Sequence, residues 1–456
     1  MKDKDSGEKY RRITEDKLYP LLWRMAVPSM IGMMVSAVYS LTDTYFIGKL
    51  NRTELTASVG LVFAFIAIVQ AVGFWFGYGA GNFVSRQIGA RKINEADKMT
   101  SIASALAVVT GIAAMMLGFV FIRPLAILLG AGTSSSLMDT TLSYLRITLI
   151  TVPVMLLANV LYNVLRLQGA AKDSMLGMLV GMLINMLLDP VFILIFKMEV
   201  AGAAIASLCG QMCGTVLLIT RMGKNGNTAV RLSMVKPQLS YIKEILAGGA
   251  PNFCRQGISS ISAIILNNMA GKYGDAVIAG MSIATRIVQM GYALVIGFGQ
   301  GFQPICAINY GAGKYERIKK CFRQTWFTAT FFLIVATAVF ALWTDTLCGM
   351  FSADETVLGC AGDILRAQCI SLPFMAYYIL IGMQLQNIGR FGAATCVTIA
   401  QNGTFLIPIA LIMTIAGGYA GLVWCRSASD ICALLFSIVL GSRISGKYIN
   451  KKAGMA

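Results

Sequence analysis

Apolar residues run along this chain in blocks of about twenty or more, separated by short polar, glycine- and proline-bearing stretches. Blocks of that length indicate helices that cross a bilayer rather than cover a soluble core. The pattern predicts twelve spans, near residues 21–47, 58–84, 99–122, 138–163, 173–196, 200–221, 245–270, 277–305, 324–346, 364–386, 393–416 and 419–442. The first 20 residues are charged and polar, and the first apolar block is too long for the core of a cleavable signal. A retained tail in water or on the membrane surface is expected. The fold class is therefore all-α and polytopic.

Composition agrees: 57% of the 456 residues are apolar and 13% charged, with a mean hydropathy of +0.70, against about 25% charged in a soluble domain. The net charge of +17 raises nucleic acid as a partner. Its distribution argues against that. With the N-terminus inside, the twelve spans leave 28 of the 38 Lys and Arg on cytoplasmic flanks and only Lys49, Arg52, Arg123, Lys197 and Lys272 outside. Arg146, Arg255, Arg286, Arg366 and Arg426 fall within spans or at their edges, and the bias survives even if all five are counted as outside. The positive-inside rule thus accounts for the basicity and places both termini in the cytoplasm of a multi-pass plasma-membrane protein. Eleven cysteines form no CxxC or Cys/His cluster and there is no histidine, so no zinc or haem site is expected. Most of the cysteines read as small buried thiols. Cys348 and Cys360 flank one outer loop, and their pairing stays open.

The chain repeats itself. Ala26-Val-Pro28-Ser-Met matches Gly249-Ala-Pro251-Asn-Phe, Ile88-Gly-Ala-Arg-Lys92 matches Tyr310-Gly-Ala-Gly-Lys314, and Arg146-Ile-Thr-Leu-Ile-Thr-Val-Pro153 matches Arg366-Ala-Gln-Cys-Ile-Ser-Leu-Pro373. Leu167-Gln-Gly169 and Leu188-Asp-Pro190 recur as Asn387-Ile-Gly389 and Leu406-Ile-Pro408. Six spans per half is an even number, so both halves point the same way through the membrane. This predicts two pseudo-symmetric six-helix lobes around a central cavity. The expected order is a tail over 1–20, an N-lobe with the cation site over 21–221, a basic cytoplasmic linker over 222–243, a C-lobe over 244–442 and a second tail over 443–456. Arg146 and Arg366 open equivalent spans and read as snorkelling residues.

Two acids break the symmetry. Asp189 lies inside the apolar block 181–196, and Asp43 lies in the first span within Tyr39-Ser-Leu-Thr-Asp43. A charge at that depth costs about 2.5 kcal/mol or more and marks functional positions. Asp189 maps to Ile407 in the second half and Asp43 to about Leu266, so one lobe alone holds both acids. Tyr39 and Asp43 are four apart on a helix, as are Asn185 and Asp189, and each pair shares a face. Ser207 in the next span supplies a hydroxyl. Carboxylate, amide and hydroxyl oxygens suit a proton or Na⁺. The competing reading of Asp189 is a hydrogen-bonded structural acid beside a proline kink. Asp430 is a third deep acid, with Arg426 one turn before it, and that pair reads as self-neutralising. Met175, Met178, Met182 and Met186 form a stripe that either packs against lipid or core, or makes an adaptable wall for varied apolar ligands. Arg255 and Arg286 are deep enough to line a cavity, to pair with a distant acid or to face headgroups. No GxxxxGK[ST] loop, HExxH, TVGYG-type filter or Arg-rich voltage sensor is present, and no nucleophile–base set marks an enzyme. An ion gradient remains the simple energy source.

Together these residues resemble the multidrug and toxic compound extrusion (MATE) family, over nearly the whole chain from about residue 17 to 445. The resemblance is carried by Pro28 through Asp43-Thr-Tyr-Phe-Ile-Gly48, Ser85-Arg-Gln-Ile-Gly-Ala-Arg91, Leu167-Gln-Gly169, Asn185-Met-Leu-Leu-Asp-Pro190, and Gly299-Gln-Gly-Phe-Gln-Pro304 with Asn309-Tyr-Gly-Ala312. It implies a secondary active multidrug exporter that works by alternating access, antiporting organic, often cationic and amphipathic compounds against H⁺ or Na⁺, as a monomer without cofactor. The family's first-lobe ion site carries over to Tyr39, Asp43, Asn185, Asp189 and Ser207, with Na⁺ at Asp43 and Asp189 the one metal ion in view. Met178, Met182, Met186, Arg255 and Arg286 are the expected substrate-cavity residues. Another branch of the family uses a glutamate in the seventh span. Residues 245–270 contain no acid, so that second-lobe site is not expected here. The alternative function is a lipid-linked precursor flippase of the same superfamily, which needs a more cationic cavity.

Overall fold

The computed structural model describes residues 2–48, 52–235 and 238–450. Among them every regular element is helical and there is no strand. Ten helical stretches are long and apolar enough to cross a membrane. In order they involve α2 (Leu18–Gly48), α3 (Thr53–Gly89), α4 (Ile93–Val120), α6 (Ser135–Leu167), α7 (Ala171–Pro190), α8 (Glu199–Arg221), α10 (Asp275–Gly311), α11 (Tyr315–Leu342), the pair α13 (Glu355–Ser371) and α14 (Met375–Asn387), and a final stretch from α15 (Phe391–Ile399) through α16 (Leu406–Ser445). Three short helices flank them: α1 (Lys2–Glu15), α5 (Ile122–Leu129) and α12 (Thr344–Gly349). One further long helix, α9 (Leu239–Ala270), carries too many amides and charges to qualify by apolarity.

Most helices outrun the apolar blocks that announced them. α11 begins nine residues before its predicted span, with Lys319, Lys320 and Arg323 on its added turns. Hydropathy marks only the part of a helix that lies in lipid, whereas the i→i+4 ladder continues into water at little cost. Proline acts differently by context. Pro153 stays inside the continuous α6, while Pro373 falls in a 3₁₀ turn, Leu372–Phe374, that separates α13 from α14. The loop expected between the last two spans is reduced to a break at Gly418, whose φ of 58° and ψ of −135° are accessible only to glycine.

Chain contacts fall into two units, residues 1–13 with 31–249 and residues 14–30 with 250–456. Each is packed through small residues. In the first unit, Gly73, Gly77 and Gly81 of α3 meet Asn159, Asn163 and Leu167 of α6, and a methyl at Gly77 would stand 2.9 Å from the Asn159 carbonyl oxygen. Without a hydrophobic drive between helices in lipid, such close backbone approach supplies the contact energy. In the second unit the N-terminal turns of α2 sit against α10, where a methyl at Gly301 would lie 2.7 Å from the Ala26 Cα and Trp23 packs edge-on to Phe298 at 5.3 Å. Repeat-related turns share their geometry. Gly169 and Gly389 both turn the chain with left-handed φ, 88° and 80°, and Arg91 and Gly313 do the same at 59° and 73°.

Candidate functional site

α7 ends at Asp189-Pro190. Proline has no N–H for the carbonyl four residues back and its ring crowds that turn. The helix widens at this point into a π turn over Val191–Ile195, with the Phe196 N–H bonded to the Val191 carbonyl at 2.9 Å. Such single-turn widenings are frequent at functional sites. Alongside, α8 approaches on glycines: a methyl at Gly210 would lie only 2.5 Å from the Gly181 carbonyl oxygen. That approach brings Ser207 to α7. The Asn185 Nδ2 donates to the Ser207 Oγ at 3.3 Å and to the Asp189 Oδ1 at 3.4 Å. Asn185 and Asp189 are both 0% exposed, so this is a polar cluster closed off by helix packing rather than a solvated patch.

Three of the five residues expected at the ion site are thus brought together. The other two, Tyr39 and Asp43, fall on the backbone of α2, but their side chains lie outside the described residues. A carboxylate in so dry a place is costly unless it is neutralised by a proton or met by a cation and hydrogen bonds. Among the described residues no group of three or more His, Cys, Asp or Glu could hold a metal ion. The described side chains bring a carboxylate, an amide and a hydroxyl together here.

Next to the cluster, the first unit contains a partly open cavity of about 120 Å³. Met178 and Met182 line it with Phe74, Asn159, Gln211 and Thr215. Met186 does not line it; it is 43% exposed, so the stripe ends before Asp189. Gln211 and Asn159 were missed by the sequence reading, although an amide inside an apolar block is a weaker form of the signal that marks Asp189. In the second unit Arg255 is half-buried and donates from Nη1 to the Tyr292 hydroxyl at 2.8 Å. Arg286 is exposed on α10. The expected Arg426–Asp430 pair does not form: Arg426 donates to the Asn402 Oδ1 at 3.2 Å, and Asp430 is held by neutral partners instead. Cys348 and Cys360 are both free thiols.

The family model for MatE matches residues 28–191 and again 251–412, once in each half of the repeat, and the chain belongs to this family of membrane transporters. Its members are transporters, not enzymes. The multidrug export protein MepA of Staphylococcus aureus is 27% identical over 426 residues, 93% of each chain. The MepA of Staphylococcus haemolyticus is 27% identical over 430 residues, 94% of each. A MATE structure solved in a bent conformation superposes with a TM-score of 0.90 at 22% identity, covering 97% of this chain and 99% of that one. The MATE fold and a multi-pass plasma-membrane location follow.

Proposed function

We propose that this protein is a secondary active multidrug exporter that antiports organic, often cationic and amphipathic compounds against H⁺ or Na⁺. The observation that carries the reading is the buried Asp189–Asn185–Ser207 cluster, an ionisable group that membrane insertion tolerates poorly without a use for it. Tyr39 and Asp43 complete the proposed ion site from α2. Loss of the ion on the cytoplasmic side leaves a carboxylate that favours a cationic substrate; arrival of the ion from outside neutralises it and releases the substrate. The two events couple only because the inward- and outward-open states bind ion and substrate with different affinities. The export named for both MepA relatives supports the direction, and the methionine- and aromatic-lined cavity supports an adaptable substrate wall.

The architecture in this reading is twelve spans in two six-helix lobes, N-lobe 21–221 and C-lobe 244–442, acting as a monomer with no cofactor. α9 adds one span to the ten apolar stretches, and the break at Gly418 divides the last of them into two. The flippase alternative is not favoured. It needs free cationic groups for pyrophosphate, whereas Arg255 is engaged with Tyr292 and the curated relatives are named for drug export.

The test is uptake of an ethidium-like cation into proteoliposomes under separately imposed H⁺ and Na⁺ gradients. Uptake driven by one of the two identifies the coupling ion. Uptake driven by neither, with a lipid-linked intermediate translocated instead, rejects the proposal.

A further inference from the structure

Asp430 is 1% exposed and lies about midway along the last apolar helix, roughly 18 Å along the axis from the break at Gly418. Three elements of the second unit converge on it. The Ser371 Oγ, at the end of α13, donates to Oδ2 at 2.8 Å. The Gln401 Nε2, from the π turn Ala400–Phe405, donates to Oδ1 at 3.1 Å, and the Tyr378 hydroxyl of α14 donates to Oδ1 at 3.4 Å. Arg426, the cation one turn away on the same helix, is committed to Asn402 at 3.2 Å.

The identity of these partners matters more than their number. A guanidinium is donor-only, and as a direct partner it holds a carboxylate ionised. Serine, tyrosine and glutamine each carry both a donor and an acceptor. Rotation of two hydroxyls, or of the amide, lets the same shell accept a hydrogen bond from a carboxylic acid or donate one to a carboxylate, with no backbone movement. In the first unit Asp189 likewise has a neutral amide donor, Asn185, whose Nδ2 also donates to the Ser207 hydroxyl.

The charged and titratable groups near Asp430 are few. Arg426 and Cys425 are on its own helix. Tyr378 faces it from α14, with Tyr292 of α10 as the electrostatic neighbour of Tyr378. Arg255 of α9 stands behind Tyr292, donating to its hydroxyl at 2.8 Å. From α13 and the π turn come only the neutral Ser371, Gln401 and Asn402. Arg255, Tyr292, Tyr378 and Asp430 thus form a polar series from the half-buried arginine to the buried acid.

We propose that Asp430 is a second proton-binding site, which takes up and releases a proton during the transport cycle within the shell of Ser371, Tyr378 and Gln401. The proposal rests on the reading that export is ion-coupled, and it gives each unit its own titrating carboxylate. The seventh-span acid used elsewhere in the family plays no part in it.

The experiment uses purified full-length protein in weakly buffered detergent, with ethidium added and released protons followed by a pH indicator. Wild type releases protons as ethidium binds. Asp430→Asn releases fewer per ethidium bound while still binding it, and Asp189→Asn also releases fewer. If Asp189→Asn lowers the count and folded Asp430→Asn does not, coupling through the first unit stands and Asp430 is a structural clamp. If neither variant changes the count, both readings fall. Tyr378→Phe decides the matter should Asp430→Asn not fold. Losing one donor to the ionised form raises the carboxyl pKa, so the pH midpoint of export moves up by roughly 0.5–1 unit. An unshifted midpoint in Tyr378→Phe overturns the proposal.

Discussion

A buried carboxylate serves coupling only where both of its charge states can be reached, and in the proposed site the Asn185 amide, which donates to Asp189 and to the Ser207 hydroxyl, is a partner compatible with both. Asp189→Asn keeps the shape and part of the hydrogen bonding but can carry no negative charge. It is expected to abolish gradient-driven export. Its level in the membrane should hold or rise, because an acid at the centre of a span costs about 2.5 kcal/mol or more to insert. Ile407→Val, at the repeat-related position, should leave export nearly unchanged. Drug accumulation in an efflux-deficient host, at matched membrane expression, checks both, and near-normal export by the asparagine variant would sink the first-unit site. The Asn185–Asp189 pair was legible in the sequence because its members stand four positions apart and the block around them is apolar. The same rule misled at Asp430. Arg426 has the right spacing, yet the partners chosen come from residues 371, 378 and 401, on other helices, and no local periodicity points to them. It misled at Met186 too: eight residues beyond Met178, the stripe has turned about 80° around the helix and left the cavity.

At the scale of elements, the junction of α7 and α8 is the part on which the site depends. Gly177 and Gly181 face Gly210 and Gly214, and a methyl at Gly210 meets backbone 2.5 Å away rather than a movable side chain. Gly210→Ala must push the helices apart, at a cost of about 1–3 kcal/mol, and carry Ser207 away from Asn185. Expected results are a lower unfolding temperature and weakened export; unchanged values of both would show that this contact is not needed. α1 offers a second element-scale test, away from the membrane. The sequence suggested an unstructured or surface-bound tail, since its charges hide any buried face, but Lys9 and Ile13 are buried in the first unit. The Lys9 ammonium donates to the Asn227 Oδ1 at 2.5 Å, and Asn227 in turn donates to Asp173 at 3.3 Å. Burial lowers the Lys9 pKa from 10.5 to about 7, opposed by Asp173 and reinforced by Arg12. An undocked α1 would then bind the extra proton between about pH 7 and 10.5, so docking strengthens as pH rises through that window and is flat and weakest below it. Hydrogen exchange in α1 should accelerate less from pH 7 to 9 than intrinsic base catalysis predicts. Lys9→Met should remove that dependence.

For the whole molecule, the repeat is the feature the sequence carried most plainly. One family model matches both halves at an offset of 223 residues, and turns at corresponding places each carry a residue with left-handed φ. Helix ends were less legible, because lipid depth and hydrogen-bonded length are different quantities. The helix that apolarity alone would discard is α9, and the topology turns on it. If α9 crosses the membrane and the break at Gly418 marks a return through it, six crossings precede the linker and six follow it. The N-terminus, the 223–240 region and the C-terminus then share one side. If α9 does not cross, five crossings follow the linker and the C-terminus falls on the opposite side from the other two. With twelve spans the Lys and Arg distribution, 28 on one set of flanks against five on the other, predicts that all three are cytoplasmic. Tags at both ends and within 223–240 should therefore resist impermeant reagents in intact cells and become reactive only after permeabilisation. Labelling of the C-terminal tag alone from outside would leave the first half intact and remove α9 from the set of spans. Labelling of the linker would break the first half as well.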